Sequence, residues 1–513
     1  MRLFTTSKKV AVSLTYVSIV VQALSTMLLT SFYLRTLGAE KYGLYQMINA
    51  VAQYIMILDL GISTVMIRYI TEFNTKNDHK KAENFAFHFG LIVLAVAACV
   101  TAIGVVVNLN LENIYANLTP EEYELSHRMF NVIIIQLVFT VIGHFFQGIS
   151  FAYEQYAFEK TLSICQIIVN TVLVFSLVTF GFGLMGIVYS NVIVIALHTL
   201  ISLLYALTAI KFKIRFHGWE MSMLKPAFLL MMAMLLQAIV GHVNSSVDKT
   251  ILGIMTTKTD VAVYAVAATV ITMFNTLPTA VSSVFQPDAV KLVARGSDGE
   301  GLTSFIIKPG RIQFMLMGGF IAGFFLFGQD FIICWTNKNM LNAWGYVLII
   351  LIPNAVPLMQ NTCLSVLNAL DKRMFRSVVL VLLTAVNIGL TVALIPVLGP
   401  VGAPAATGIS YIIGHIVIMN IYYQRKIKLS VPRMFKEMLS RSWLCVIAAA
   451  ALNLPLMLWR IDGNWLVLAV KALVFCGMYF TLLVLYGFNQ SEKQMLLSAI
   501  NRIRRKKRGK NEH

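Results

Sequence analysis

Residues 235–254 read LLQAIVGHVNSSVDKTILGI. A run this long and this apolar crosses a bilayer as a helix. It nevertheless carries Gln237, His242, Asn244, Ser245, Ser246, Asp248 and Lys249. Polar and charged groups are costly in a membrane and are kept where they face a bundle interior or a watery cavity. Gln237, Gly241, Asn244 and Asp248 are spaced by four, three and four residues, which puts them on one helical face. Such a face can line a cavity for a polar solute or hydrogen-bond its neighbours.

A second stretch, YIMILDLGISTVMIRYI, covers residues 54–70. Asp59 is an isolated membrane carboxylate, suited to a proton, a cation or a basic partner. Arg68 lies nine residues on, about half a turn around the helix, so the two do not pair. Its forked guanidinium suits a phosphate, and its length suits snorkelling to the membrane surface. Asp248 and Lys249 either neutralise each other or leave Lys249 for an anionic head group. His144, His198, His242 and His415 show no metal-ligand spacing, and His242, bordering the polar face, is the preferred titratable group. No nucleotide-binding loop, catalytic arrangement, metal site or cofactor motif is present, so the expectation is a transporter and not an enzyme.

These residues need a membrane scaffold. The chain has 513 residues, 58% hydrophobic and 12% charged, against roughly 25% charged in a soluble domain. The net charge of +18 would point to nucleic acid in a soluble protein. Here it follows topology, and no nucleic-acid partner is expected. Apolar runs predict an all-α polytopic protein with about fourteen transmembrane helices, near 10–34, 43–70, 85–108, 129–152, 159–180, 184–207, 226–255, 262–290, 309–334, 342–369, 376–396, 401–423, 439–459 and 465–487. Of the 41 Lys and Arg, 32 fall on one side of these spans and six on the other. Positive residues stay inside, so both termini are assigned to the cytoplasm. The basic tail, 488–513, should lie on the anionic inner leaflet. The six cysteines, all in or beside apolar runs, are expected as free, packed thiols.

The two halves repeat. Glu154, Phe158 and Asn170 precede Asp371, Phe375 and Asn387 by 217 residues, and G-x-x-G follows at Gly183/Gly186 and Gly399/Gly402. Six spans per half make two parallel six-helix lobes, residues 1–209 and 226–423, joined by a cytoplasmic linker at 210–225 and followed by two C-terminal helices within 439–487. Polar faces recur on span 1 (Thr15, Ser18, Gln22, Ser25), span 4 (Gln136, Thr140, Gly143, Gln147, Glu154) and span 10 (Asn354, Asn361, Ser365, Asn368). Two lobes with polar inner faces imply a wide hydrophilic cavity.

At Leu37-Gly38, Tyr42-Gly43-Leu44-Tyr45, Asp59-Leu60-Gly61 and Arg68-Tyr69, and again at Asp248-Lys249 and Val263-Tyr264, the chain resembles the bacterial polysaccharide flippases. These are the O-antigen and capsule flippases of the multidrug/oligosaccharidyl-lipid/polysaccharide exporter superfamily. The resemblance implies a multi-pass inner-membrane protein of lipopolysaccharide or capsule biosynthesis. Its two lobes would alternate in access, its cargo would be an oligosaccharide on undecaprenyl diphosphate, and its partners would be membrane lipids and a polysaccharide polymerase or ligase. Energy would come from a proton or sodium gradient. The substrate path is then assigned to Gln22, Arg68, Gln147, Gln237, His242, Asn244, Lys249 and Asn361, and ion coupling to Asp59 or Asp248. Three other readings stand beside it: a cation-coupled multidrug antiporter of the same superfamily, a flippase for a lipid-linked peptidoglycan precursor, and a membrane glycan polymerase. The last usually needs a larger outside loop than the acidic Leu109–His127.

Overall fold

The computed structural model describes residues 8–459, 463–490 and 492–494. The described residues are mostly helical and include no strand. The helices in order are α1 (Lys8–Thr36), α2 (Ala39–Ile55), α3 (Ile62–Thr75), α4 (His79–Leu109), α5 (Leu111–Ile114), α6 (Pro120–Ala152), α7 (Tyr156–Leu177), α8 (Gly183–Thr208), α9 (Met221–Met255), α10 (Lys258–Ala294), α11 (Gly299–Trp335), α12 (Asn342–Met359), α13 (Asn361–Ala369), α14 (Arg373–Leu398), α15 (Gly402–Tyr411), α16 (Met419–Lys426), α17 (Val431–Leu439), α18 (Ser442–Leu458) and α19 (Trp465–Leu482). Local chemistry sets the starts. Asp78 caps α4 by accepting from the Lys81 N–H, and Asp298 caps α11 by accepting from the Gly301 N–H. Thr119 and Glu122 form a reciprocal capping box at α6, with Pro120 in the first turn.

Among the described residues, ten helical stretches are long and apolar enough to cross a membrane, or eleven when the bent pair Val431–Leu439 and Ser442–Met457 counts as one span. The chain is thus a multi-pass membrane protein, and the count falls short of the expected fourteen. Two stretches, Tyr156–Thr208 and Met374–Lys426, are 53 residues each. A straight helix of that length would reach about 80 Å, far beyond the ~30 Å hydrocarbon core. Each is broken, the first at Gly181 and Gly183 and the second at Gly399, all at positive φ. Helix α9 contributes only the shorter apolar run Met223–Met232. Large apolar side chains such as Leu94, Phe180, Leu382 and Leu473 point outward, as lipid-facing residues do.

The internal repeat is visible in local geometry. Gly186 lets α8 lie on the end of α7, where a Cβ would stand 3.1 Å from the Leu177 carbonyl carbon. Gly402 does the same against α14, with a Cβ 2.6 Å from the Leu394 carbonyl carbon. Glu154 and Asp371 both adopt positive φ, 58° and 54°. Phe158 stacks on Tyr205 at 3.6 Å and 9°, and Phe375 on Tyr422 at 4.1 Å and 9°. Every one of these later positions follows its counterpart by 216 or 217 residues.

Contacts divide the chain into two compact units, Met1–Val266 with Ile388–Ala403, and Ala267–Asn387 with Pro404–His513. This boundary falls later than the one drawn from the repeat, because α9 packs along α2 and touches α3. The repeat follows duplication of the chain, whereas the contacts follow packing. In the first unit α6 is central, touching α3, α4 and α8, while α1 lies on α7. In the second unit α11 is central, packed on α12, α17, α18 and α19.

Two charged spans acquire partners in the second unit. Lys471, fully buried on α19, donates to Asp330 of α11 at 2.9 Å and to the Trp459 carbonyl. Arg311 of α11 is 3% exposed and grips Glu492 with both sides of its fork, Nε at 2.8 Å and Nη2 at 3.2 Å. It also donates to the carbonyls of Glu437 and Gly487. Pro278 and Pro287 lie inside α10, and Gln313 donates to the Pro278 carbonyl and to Ser282. The cysteines are free, but only Cys334, Cys363 and Cys445 are packed; Cys99, Cys165 and Cys476 are exposed. An apolar run presents as many side chains to lipid as to the core, which corrects the expectation of packing for those three. The basic tail beyond residue 494 lies outside the described residues.

Candidate functional site

The site begins where a helix stops. Between α2 and α3 the chain makes a short 3-10 turn, Met56–Asp59, and then places Leu60 and Gly61 in the left-handed region at φ 52° and 67°. A leucine at positive φ is strained, and such strain persists only where its surroundings enforce it. Gly61 meets that demand in another way: a Cβ there would lie 2.9 Å from Met234 of α9. The interruption frees backbone groups inside the unit and turns Asp59 toward α6.

There Asp59 meets His144, with Oδ1 and Nδ1 2.7 Å apart. Both side chains are partly buried. His198 of α8 lies within electrostatic reach of His144, and His242 of α9 within reach of Asp59. Three helices and the 3-10 turn thus converge on one acid and three imidazoles. Gln147, one turn along α6, is half-buried beside Glu159 of α7. On α9, Gly241 and Asn244 are exposed and nothing stands within 4 Å of a Cβ at Gly241.

The C-terminal half of α9 is packed instead. Asp248 is 4% exposed and accepts from the Tyr264 hydroxyl and, at 3.3 Å, from the Thr391 hydroxyl. Lys249 turns the other way and donates to Gln46 of α2 at 3.1 Å. Adjacent residues point about 100° apart on a helix, so Asp248 and Lys249 serve different neighbours. Tyr54 donates to Thr250 at 3.1 Å, and Lys258 binds Glu122 of α6. Gly43 admits the Lys258 carbonyl directly against the α2 backbone.

The structure therefore gathers Asp59, His144, Gln147 and His242 at one place, and Asp248 and Lys249 at another. Arg68 is not brought to either: it is exposed on α3 with its guanidinium over the Tyr69 ring, 5.8 Å from the centroid. Gln22 is exposed on α1 and donates to Thr26 at 3.2 Å. Asn361 opens α13 in the second unit, half-buried, beside the Gln360–Asn420 bond of 2.6 Å. The side chain of Gln237 lies outside the described residues.

No local pattern in the sequence pairs His144 with Asp59 or places Gln46, Tyr264 and Thr391 beside the α9 residues. His198, Ser202 and Tyr205 share a face at i, i+4 and i+7, a signal that was available. Among the described residues no group of three or more His, Cys, Asp or Glu is arranged to hold a metal ion. The second unit adds an apolar groove of about 1090 Å³ between α11 and α19, lined by Phe320, Phe327, Phe331, Ala472, Phe475 and Tyr479.

Residues 8–287 match the family model described as polysaccharide biosynthesis protein. No curated protein matches the sequence at a significant level. Among solved structures, the lipid II flippase MurJ in an inward closed conformation superposes with a TM-score of 0.66 at 15% identity, covering 92% of this chain and 99% of that one. An inward-facing multidrug resistance MATE family transporter of the MOP superfamily gives 0.63 at 14% identity, covering 79% and 94%. A MOP superfamily transporter from Pyrococcus furiosus gives 0.53 at 16% identity, covering 80% and 95%. At these identities the likeness is one of fold.

Proposed function

The chain belongs to the polysaccharide biosynthesis protein family, and we propose that it is a flippase for oligosaccharides carried on undecaprenyl diphosphate. The cargo moves from the cytoplasmic to the outer leaflet of a bacterial inner membrane by alternating access, and serves O-antigen or capsule assembly. The observation that carries this reading is the interrupted helix at Asp59–Gly61 with polar groups of α6 and α9 around it. Discontinuous helices supply polar groups to a solute at membrane depth. A lipid-linked sugar needs both such groups and an apolar surface for its chain, and the α11–α19 groove offers the latter. Arg68 and Lys249 are the cations assigned to the diphosphate, and Asp59 or Asp248 couples the ion. Gln22, Gln147, Gln237, His242, Asn244 and Asn361 make up the rest of the path. The reading takes 1–209 and 226–423 as lobes, both termini as cytoplasmic on the charge asymmetry, and a polymerase or ligase as partner.

A second reading, a cation-coupled multidrug antiporter, is favoured by one observation: the gathered charges at Asp59 and Asp248 are carboxylates, which suit organic cations. Reconstitution into liposomes containing labelled undecaprenyl-diphosphate oligosaccharide separates the two. Protein-dependent appearance of label in the opposite leaflet, lost in Arg68→Ala or Lys249→Ala, supports the flippase and its anion contacts. No glycolipid movement, with gradient-driven efflux of an organic cation, replaces it with the antiporter.

A further inference from the structure

The inner faces of α6, α7 and α8 hold a row of polar groups which, Gln147 apart, the substrate path does not use. Glu159, in the first turn of α7, is fully buried. Ser150 and Gln147 of α6 stand beside it, yet neither carboxylate oxygen receives a hydrogen bond of good geometry. The hydroxyls of Ser150 and Ser202 and the Nε2 of His198 are likewise buried without a hydrogen-bond partner. Helices α6 and α8 lie side by side in register. Thr199 donates to the Phe139 carbonyl at 2.9 Å and touches Gly143, and the Tyr205 hydroxyl donates to Gln155 at 2.9 Å. This alignment sets His144 level with His198, and Gln147 and Ser150 level with Ser202 and Tyr205. From His144 to Ser150 is six residues, a rise of about 9 Å.

Buried polar atoms are normally paired. A row of unpaired ones, with a carboxyl group at each end, is what ordered water completes into a continuous hydrogen-bonded chain. We propose that this row is a proton path through the first unit, with Glu159 as the group that loads the proton and the Asp59–His144 pair as the group that holds it beside α9. The proposal rests on the transporter reading and adds the ion and its route. A proton enters on a Glu159 oxygen and passes through the row, along Ser150, Ser202 and His198, to an imidazole nitrogen. It then leaves from the Asp59–His144 pair, so each proton taken up is released and nothing is oxidised or reduced. The titratable or charged groups facing the path are Lys160 and Tyr205 at Glu159, His198 and Asp59 at His144, and His242 at Asp59.

Infrared difference spectroscopy on the purified full-length protein tests the path without any assay of transport. A carboxylic C=O band lost in Glu159→Gln reports this side chain. The path requires that the band shift within the mixing time on transfer to D₂O, and that the exchange slow at least about tenfold in Ser202→Val or His198→Phe. A band that exchanges only over hours, is indifferent to both substitutions, or never shows the protonated form between pH 5 and 8 overturns it. The second arm uses liposomes with an imposed proton gradient and a pH-sensitive dye. Glu159→Gln should cut proton entry at least about tenfold while gradient-free glycolipid equilibration continues. Loss of both, in a variant that remains folded by circular dichroism, assigns Glu159 a structural role and overturns the path. Failure of the wild type to move glycolipid bears on the flippase reading, and the infrared result still decides the path.

Discussion

Asp59 meets His144 at 2.7 Å beside an interrupted helix, and the proposed function gives its charge the coupling role. Asp59→Asn preserves shape and removes charge. Gradient-driven accumulation in liposomes should fall about tenfold or more, equivalent to roughly 1.4 kcal/mol of lost coupling, with the thermal midpoint nearly unchanged. An equal loss of gradient-free movement would place Asp59 in substrate contact instead. The Arg311–Glu492 pair behaves in the opposite way. It is buried, and removing one partner strands a charge. Glu492→Leu should cost about 3–5 kcal/mol, read as a lowered unfolding midpoint in detergent. The double variant Arg311→Leu/Glu492→Leu should recover much of that loss. Neither Arg311 nor Glu492 stood out in sequence, because both fall among the basic and acidic residues of membrane-edge segments.

At the scale of the element, the two G-x-x-G motifs were legible as a repeat, and their purpose was not. In each, the first glycine takes the positive φ that ends one helix. The second removes the Cβ that would separate the returning helix from it. The two positions differ in tightness, 3.1 Å at Gly186 against 2.6 Å at Gly402. Gly402→Ala should therefore destabilise more than Gly186→Ala, within the ~1–3 kcal/mol typical of overpacking, and the order of the two unfolding midpoints checks this. Equal midpoints would mean that the α14–α15 turn relaxes freely. The break after Asp59 is the same physics without a glycine at its first position: Leu60 carries a left-handed φ because Asp59 and Gly61 are both held.

At the scale of the molecule, the flippase reading assigns the apolar groove along α11 and α19 to the prenyl chain of the cargo. Ala472→Phe fills it from the α19 side. The flippase reading expects glycolipid movement to slow at least about tenfold, with no change in the amount of folded protein recovered by size exclusion. Unaltered movement would leave the groove to ordinary membrane lipid. The charge asymmetry makes a topological prediction as well. A single added cysteine in the 109–127 loop should label from outside intact cells, and one in the 210–225 linker only after permeabilisation.

Sequence by itself determined the solvent of this protein and the period of its plan. Length of apolar runs, scarcity of charge and the 217-residue repeat are properties of the chain that a bilayer reads directly, because no backbone polar group can be left unpaired in hydrocarbon. Helical spacing alone puts Gly241, Asn244 and Asp248 on one side of α9, but it does not show that Asp248 is packed on Tyr264 and Thr391 while Gly241 and Asn244 are exposed. Tertiary structure decided the partners. Asp59 faces His144 from 85 positions away, and Asp248 faces Thr391 from 143. No local rule sets which helix an intramembrane side chain meets, because that depends on crossing and on breaks such as Leu60–Gly61. The α7–α8 hairpin likewise made a row of His198, Ser202 and Glu159 that spacing within any single helix does not reveal.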